Sequence, residues 1–234
     1  MPDSVVFLLD VDNTLLDNDA AQNDYLAEIR RTVSSEASQR YWEIFHEIAE
    51  ELGYADYLGA LECYRLEDMH DPKLLHVSLY LLDYEFEERL YPHAMEVIQY
   101  LSARSTVVLL TDGDVVFQPR KILKAGLWDA VAGRVLIYIH KEQELREVER
   151  RFPAQHYVMV DDKLRILTAI KQQWGKRVTT VFVKQGHYAN DPKILAAYPP
   201  ADIYLEHIGD LLNYKVDTLL GAVDKKEKSE RSAK

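Results

Sequence analysis

The chain has 234 residues, enough to bury a substantial core in one domain or two. Its 47% hydrophobic and 29% charged residues are the proportions of a soluble globular protein, and the net charge of −11 argues against a broad nucleic-acid or anionic-membrane surface. The single cysteine, Cys63, excludes an internal disulfide, which fits a reducing cytoplasm; no apolar stretch is long enough to span a bilayer, and the N-terminal run lacks the basic leader of a signal peptide.

Val5 to Leu9 is a continuous apolar run, the pattern of a strand buried on both faces of a parallel sheet. It ends at Asp10-Val11-Asp12-Asn13-Thr14, with two carboxylates two positions apart. Acids so close repel each other unless a cation or a shared proton offsets the charge. A solvated turn is the plain alternative for such residues.

From about Asn23 to Tyr91 no convincing strand occurs. Tyr41, Ile44, Phe45, Ile48, Ala49 and Leu52 recur at helical spacing, and Gly53 is placed to end that helix. A second helix is expected across Asp56 to Asp68. Asp71 and Pro72 read as the start of another, with Leu74, Leu75, Val77, Leu79, Leu81 and Leu82 on its buried side. Residues 18–90 are therefore expected to form a compact helical insertion of about four helices. Cys63, within it, is expected to be a small core residue.

Beyond Tyr91 helices and strands alternate. Strands are expected at Thr106 to Leu110, Arg134 to Ile139, Tyr157 to Val160, Arg177 to Val183 and Ile203 to Leu205, and a last helix through Ile208, Leu211, Leu212, Val216 and Leu219. Alternation of this kind implies a parallel sheet with right-handed crossovers. The fold class is α/β, a Rossmann-like parallel sheet. Residues 1–17 and 91–222 are assigned to that core domain, residues 18–90 to an inserted all-α cap, and residues 223–234 to a frayed, charged tail.

Four of the strands finish on polar residues: Asp10 and Asp12, Thr111 and Asp112, His140 and Lys141, Asp161 and Asp162. In a parallel sheet such ends share one edge. Acids, a hydroxyl and a lysine gathered there suit a divalent cation and a phosphoryl group, and hard oxygen ligands favour Mg²⁺.

Asp10-Val11-Asp12-Asn13-Thr14 resembles the DxDxT motif of the haloacid dehalogenase superfamily, and Thr111, Lys141 and Asp161-Asp162 follow in that family's order. The resemblance implies Asp10 as nucleophile, forming an aspartyl-phosphate, and Asp12 as general acid/base. It implies Thr111, Asp112 and Lys141 around the phosphoryl group. Asp10, Asp161, Asp162 and the backbone carbonyl of Asp12 would hold Mg²⁺. An acid at the second position sets the chain apart from the dehalogenase branch and favours phosphoryl transfer. Arg165 stands where a second, spaced acid of the fourth motif is often found. Lys121 and Lys124 compete with Lys141 for the lysine role, but fall inside a predicted helix.

The implied activity is a Mg²⁺-dependent phosphatase acting on a small phosphorylated metabolite. The alternatives are a phosphomutase, a phosphonate hydrolase served by Lys73, a receiver-type phospho-acceptor, or an idle binding protein. Arg40, Arg65, Lys73, His46, His70 and His76 are the cationic residues of the cap, and Arg65 and Lys73 its candidate anion contacts. His187 and Asp114 stand near the active edge, with Asp114 equally suited to capping a helix.

Overall fold

The structure, a computed structural model, describes residues 3–67, 69–216 and 218–219. The expected tail over residues 223–234 lies outside them. Six strands form one parallel sheet: β1 (Asp3–Leu9), β2 (Thr106–Asp112), β3 (Val135–Tyr138), β4 (Ala154–Asp161), β5 (Val178–Val183) and β6 (Ile203–Leu205). Their order across the sheet is β3-β2-β1-β4-β5-β6. The chain runs outward from β1 through β2 to β3, then returns to the other side of β1 as β4. The crevice at the carboxyl ends of β1 and β4 is thus the topological switch point, where open α/β sheets bind ligands.

Both faces of the sheet are covered. Phe7 and Leu9 pack into one apolar cluster, while Val6 and Leu8 pack into another on the opposite face. That is why β1 reads as an unbroken apolar run and not as an alternation. The first cluster takes in α5 (Ala94–Ser102), α6 (Phe117–Lys124) and α7 (Leu127–Ala130). The second takes in α8 (Leu145–Arg151) and α9 (Leu164–Trp174). A short helix, α10 (Pro192–Ala197), precedes β6 and was not expected from sequence; nor was α7.

Between β1 and α5 the chain forms α1 (Asn18–Thr32), α2 (Ser35–Leu52), α3 (Tyr57–Glu67) and α4 (Leu74–Asp83). Asp17 caps α1, its side chain accepting from Ala20 N at 2.9 Å, and Ser34 caps α2 by accepting from Ala37 N at 3.1 Å. Gly53 ends α2 at φ 80°, a left-handed position that glycine fills without strain. Tyr25, Tyr41 and Tyr57 are buried where α1, α2 and α3 meet, with ring centroids 5.3 and 6.5 Å apart for Tyr25–Tyr41 and Tyr25–Tyr57. The segments entering and leaving this helical insertion run side by side: Leu16 bridges to Leu90, and Tyr91 N donates to Leu15 O at 2.9 Å.

Four local expectations are corrected. α4 begins at Leu74, not at Pro72, because Asp71 accepts from Lys73 N and closes a turn before the helix starts. Only Leu74, Val77 and Leu81 of its leucine-rich run are buried; Leu75 and Leu79 face solvent, since a single buried stripe recurs every three or four residues. Cys63 is exposed, on the outer face of α3. The expected last helix opens as a 3-10 turn, Ile208–Asn213. No helix among the described residues is long and apolar enough to cross a membrane.

Candidate active site

The register of β1 against β4 pairs Leu9 with Val160, and Asp10 N donates to Val160 O at 3.0 Å. The next residues of the two strands, Asp10 and Asp161, therefore come level at the switch point. Lys141, on the turn after β3, reaches between them. Its Nζ lies 2.5 Å from Asp10 Oδ1 and 2.7 Å from Asp161 Oδ2. The turn is anchored by Asp112, whose Oδ1 accepts from Lys141 N at 2.8 Å. Thr14 Oγ1 donates to Asp10 Oδ2 at 3.1 Å. Asp10 thus has a donor on each oxygen, although it is almost wholly buried.

Asp10, Asp161 and Asp162 each offer a carboxylate oxygen within 4.8 Å of the others. Among the described residues, neither oxygen of Asp162 has a hydrogen-bond donor, and both are buried. Burial pushes Asp10 up to about 6, against the pull of Lys141 and with the push of Asp161. Burial likewise raises Asp162 well above the ordinary carboxylate range, Lys163 opposing and Asp161 and Asp10 adding to the rise. Lys141 is held protonated: burial alone would lower its pKa, but Asp10, Asp161 and Asp112 together raise it. An unpaired buried carboxylate is costly unless protonated or offset by a cation. Five carboxylates, Asp10, Asp12, Asp112, Asp161 and Asp162, here face three ammonium groups, Lys121, Lys141 and Lys163. One divalent cation would balance them, and its hard-oxygen donors are in place.

Asp12 has a separate arrangement. Lys121 Nζ stands 2.9 Å from both of its carboxylate oxygens, and Gln118 Nε2 donates to Oδ2 at 3.2 Å. Gln118 also donates to Thr111 Oγ1 at 3.1 Å, and Thr111 in turn donates to the Asp112 carbonyl at 3.3 Å. Gln118 and Lys121 lie one turn apart on α6, whose N-terminus is fixed by Asp114 accepting from Phe117 N at 2.6 Å.

A cavity of about 660 Å³ opens from this edge toward the insertion. Asp12, Asp112, Lys121, Lys163 and Arg165 line its floor; Trp42, Phe45, His46, Tyr54 and Tyr57 line its roof. The volume suits a small molecule.

The family model for haloacid dehalogenase-like hydrolases matches residues 5–172. The chain belongs to the haloacid dehalogenase-like hydrolase family. A Burkholderia xenovorans LB400 protein described as a haloacid dehalogenase-like hydrolase is 57% identical; the alignment covers 92% of this chain and all of that one, with a TM-score of 0.88. The HAD-hydrolase YfnB of Bacillus subtilis, solved bound to magnesium, matches at TM-score 0.60 and 18% identity over 89% of this chain and 96% of that one. L-2-haloacid dehalogenase of Xanthobacter autotrophicus matches at 0.57 and 16% over 90% and 97%. The two distant likenesses show the fold alone. No curated protein matches the chain.

In this hydrolase the candidate site residues Asp10, Asp12, Thr111, Asp112, Lys141, Asp161 and Asp162 lie at the same sheet edge. Asp112 is turned toward the backbone of Lys141, and burial raises its pKa against the pull of Lys141. The cationic cap residues are dispersed. Arg65 pairs with Glu62 and Arg40 with Glu67 on the surface, and neither they nor Lys73 line the cavity, whereas His46 does. His187 lines it too, its ring bonded to Asp19 at 2.7 Å. Arg165, at the later position of the fourth motif, pairs with Glu142 at 2.6 Å.

Sequence reasoning passed over Gln118 and Lys121, setting Lys121 aside because it falls in a helix. The signal was the spacing: the helix starts one short turn after the end of β2, and residues three apart near its start face the same edge. Lys163 carried no comparable signal.

Proposed function

We propose that this hydrolase is a phosphatase acting on a small phosphorylated metabolite through an aspartyl-phosphate on Asp10. The observation that carries the reading is the pairing of two different acids: Asp10 buried against Lys141, and Asp12 open to the cavity two residues on. A carbon–halogen hydrolase has no use for the second acid, whereas an alkoxide leaving group needs a proton. The buried, donorless oxygens of Asp162 fit a resident Mg²⁺, which Asp10, Asp161, Asp162 and the backbone carbonyl of Asp12 would hold. When bound, such a cation offsets the charge of the phosphoryl oxygens and of the clustered acids.

In the first step a carboxylate oxygen of Asp10 attacks phosphorus and the bond to the leaving oxygen breaks, with Asp12 giving that oxygen a proton. In the second, Asp12 takes a proton from water, whose oxygen attacks phosphorus, and the Asp10–phosphorus bond breaks to free phosphate. Lys141 offsets the negative charge at Asp10 throughout, and the Thr111 hydroxyl would take a phosphoryl oxygen. The helical insertion serves as a cap that limits water and admits the leaving group. Cytoplasmic residence belongs to the same proposal, in keeping with a lone cysteine.

The test is a panel of phosphate esters and 2-haloalkanoic acids assayed with Mg²⁺. Inorganic phosphate is expected from the esters, abolished by EDTA, with no halide from the haloacids. Halide release without phosphate release would refute the proposal.

A further inference from the structure

Two buried lysines divide the two acids of the DxDxT stretch between them. Lys141 takes Asp10. Lys121 takes Asp12, from a different element and at both oxygens. Its side chain is 2% exposed, and burying an ammonium is expensive unless its protons are used. All its close polar partners face the site: the two oxygens of Asp12 and Asn18 Oδ1, each at 2.9 Å. The rings of Tyr57 and Phe117 stand on its flanks, with centroids 5.8 and 5.7 Å from Nζ. Asn18 is itself fixed, donating to Tyr57 Oη at 3.2 Å. Gln118 supplies a third bond to Asp12 and ties it to Thr111.

We infer that Lys121, braced by Asn18 and seconded by Gln118, is a positioning residue that sets the orientation of the Asp12 carboxylate for proton transfer at the leaving oxygen. The inference rests on the reading of Asp12 as acid/base. A surface ion pair would leave the carboxylate free to rotate among rotamers. Here two donors on one helix face and a bidentate contact fix its plane while leaving it 24% exposed toward the cavity. Displacements of the order of 1 Å in such a group cost about 100-fold in rate.

A merely structural ion pair and a positioning lysine differ in how their loss depends on the leaving group. An aryl phosphate such as 4-nitrophenyl phosphate leaves as a stable phenolate and needs little help from a proton; an alkyl phosphate such as glycerol phosphate needs that proton. The experiment measures kcat and KM of the magnesium-loaded protein on both esters, for wild type, Lys121→Met, Lys121→Arg and Gln118→Leu. Lys121→Met is expected to lower kcat on the alkyl ester by about 10- to 100-fold and on the aryl ester by less than about threefold, with KM little changed. Lys121→Arg should recover part of the alkyl activity, and Gln118→Leu should show the same split at smaller amplitude. If Lys121→Met does not accumulate as folded protein, Gln118→Leu and Lys121→Arg carry the test. Equal losses on both esters, or no loss, overturn the inference. A wild-type protein that hydrolyses neither ester overturns the phosphatase reading itself, and this inference with it.

Discussion

The floor and the roof of the cavity are made of different material. On the floor Lys121 pairs with Asp12 at 2.9 Å, and beneath it Lys141 joins Asp10 and Asp161, which strand register brings level, at 2.5 and 2.7 Å. On the roof, α2 and the turn after it present Trp42, Phe45, His46 and Tyr54, held by ring packing: Trp42 and Phe45 stack at 5.1 Å, and Trp42 meets the His46 ring at 4.1 Å. Preorganised charge can stabilise a reacting phosphoryl group, while rings and small apolar side chains discriminate by shape. On the proposed function, the difference separates two questions: the floor would carry the chemistry, and the roof would select what it is done to.

Variants of the floor should therefore destroy turnover, and those of the roof should redirect it. The largest effect is expected for Asp10→Asn: a loss of at least about 1,000-fold in kcat, with the circular dichroism spectrum unchanged. Retained activity in that variant would remove Asp10 from the nucleophile's role.

The next effect is on stability and concerns the buried acids. Asp10, raised by burial to about 6, and Asp162, also raised by burial, bind protons in the folded chain at pH values where the unfolded chain has lost them. The sign follows directly: metal-free stability should rise as pH falls from about 8 to about 5.5, by roughly 1 kcal/mol from Asp10 alone. Asp202 has the opposite sign. Burial alone would raise it, but bonds from Lys171 and Thr180 outweigh that and hold it low, so its contribution is present above the unfolded pKa and lost as pH falls through the folded one. The melting temperature of EDTA-treated protein should thus pass through a maximum on the acid side of neutrality. Saturating Mg²⁺ should raise the melting temperature most at the alkaline end, because it replaces the missing countercharge. A metal-free melting temperature that falls steadily from pH 8 would contradict the buried-acid account.

The smallest effect belongs to the roof. Trp42→Ala should raise KM for larger phosphate esters by about 2- to 10-fold, the value of one aromatic contact, and leave kcat on the smallest ester unchanged. A collapse of kcat on every substrate would show that the roof takes part in the chemistry and is not only a selector.

The sequence was informative where the floor is concerned and much less so for the roof, and the reason is physical. Strand ends in a parallel sheet share an edge whatever the loops do, so Asp10, Thr111, Lys141 and Asp161 could be placed together across long stretches of chain. Two-sided burial wrote β1 and β4 into the sequence as apolar runs. The roof depends on which way helices turn their faces, and periodicity alone left Leu75 and Leu79 on the wrong side of α4 and Cys63 in a core it does not occupy. Arg65 and Lys73, weighed as anion contacts against the plainer reading of solvated charges, are solvated, since charge on a helix says nothing of which side meets the cavity. Lys121 lies between the two cases. It sits on a helix, but a helix whose start is fixed by a strand end.

In the proposed phosphoryl transfer, water attacks phosphorus and not the carboxyl carbon of Asp10. A phosphatase reaction run over many turnovers in heavy-oxygen water tests it most directly, with mass spectrometry of the released phosphate and of the peptide that contains Asp10. The heavy oxygen should appear in the phosphate, with the Asp10 peptide unlabelled. Label accumulating in the Asp10 carboxylate would mean that the covalent intermediate is opened at carbon, as a dehalogenase ester would be, and the phosphoryl-transfer account would be wrong.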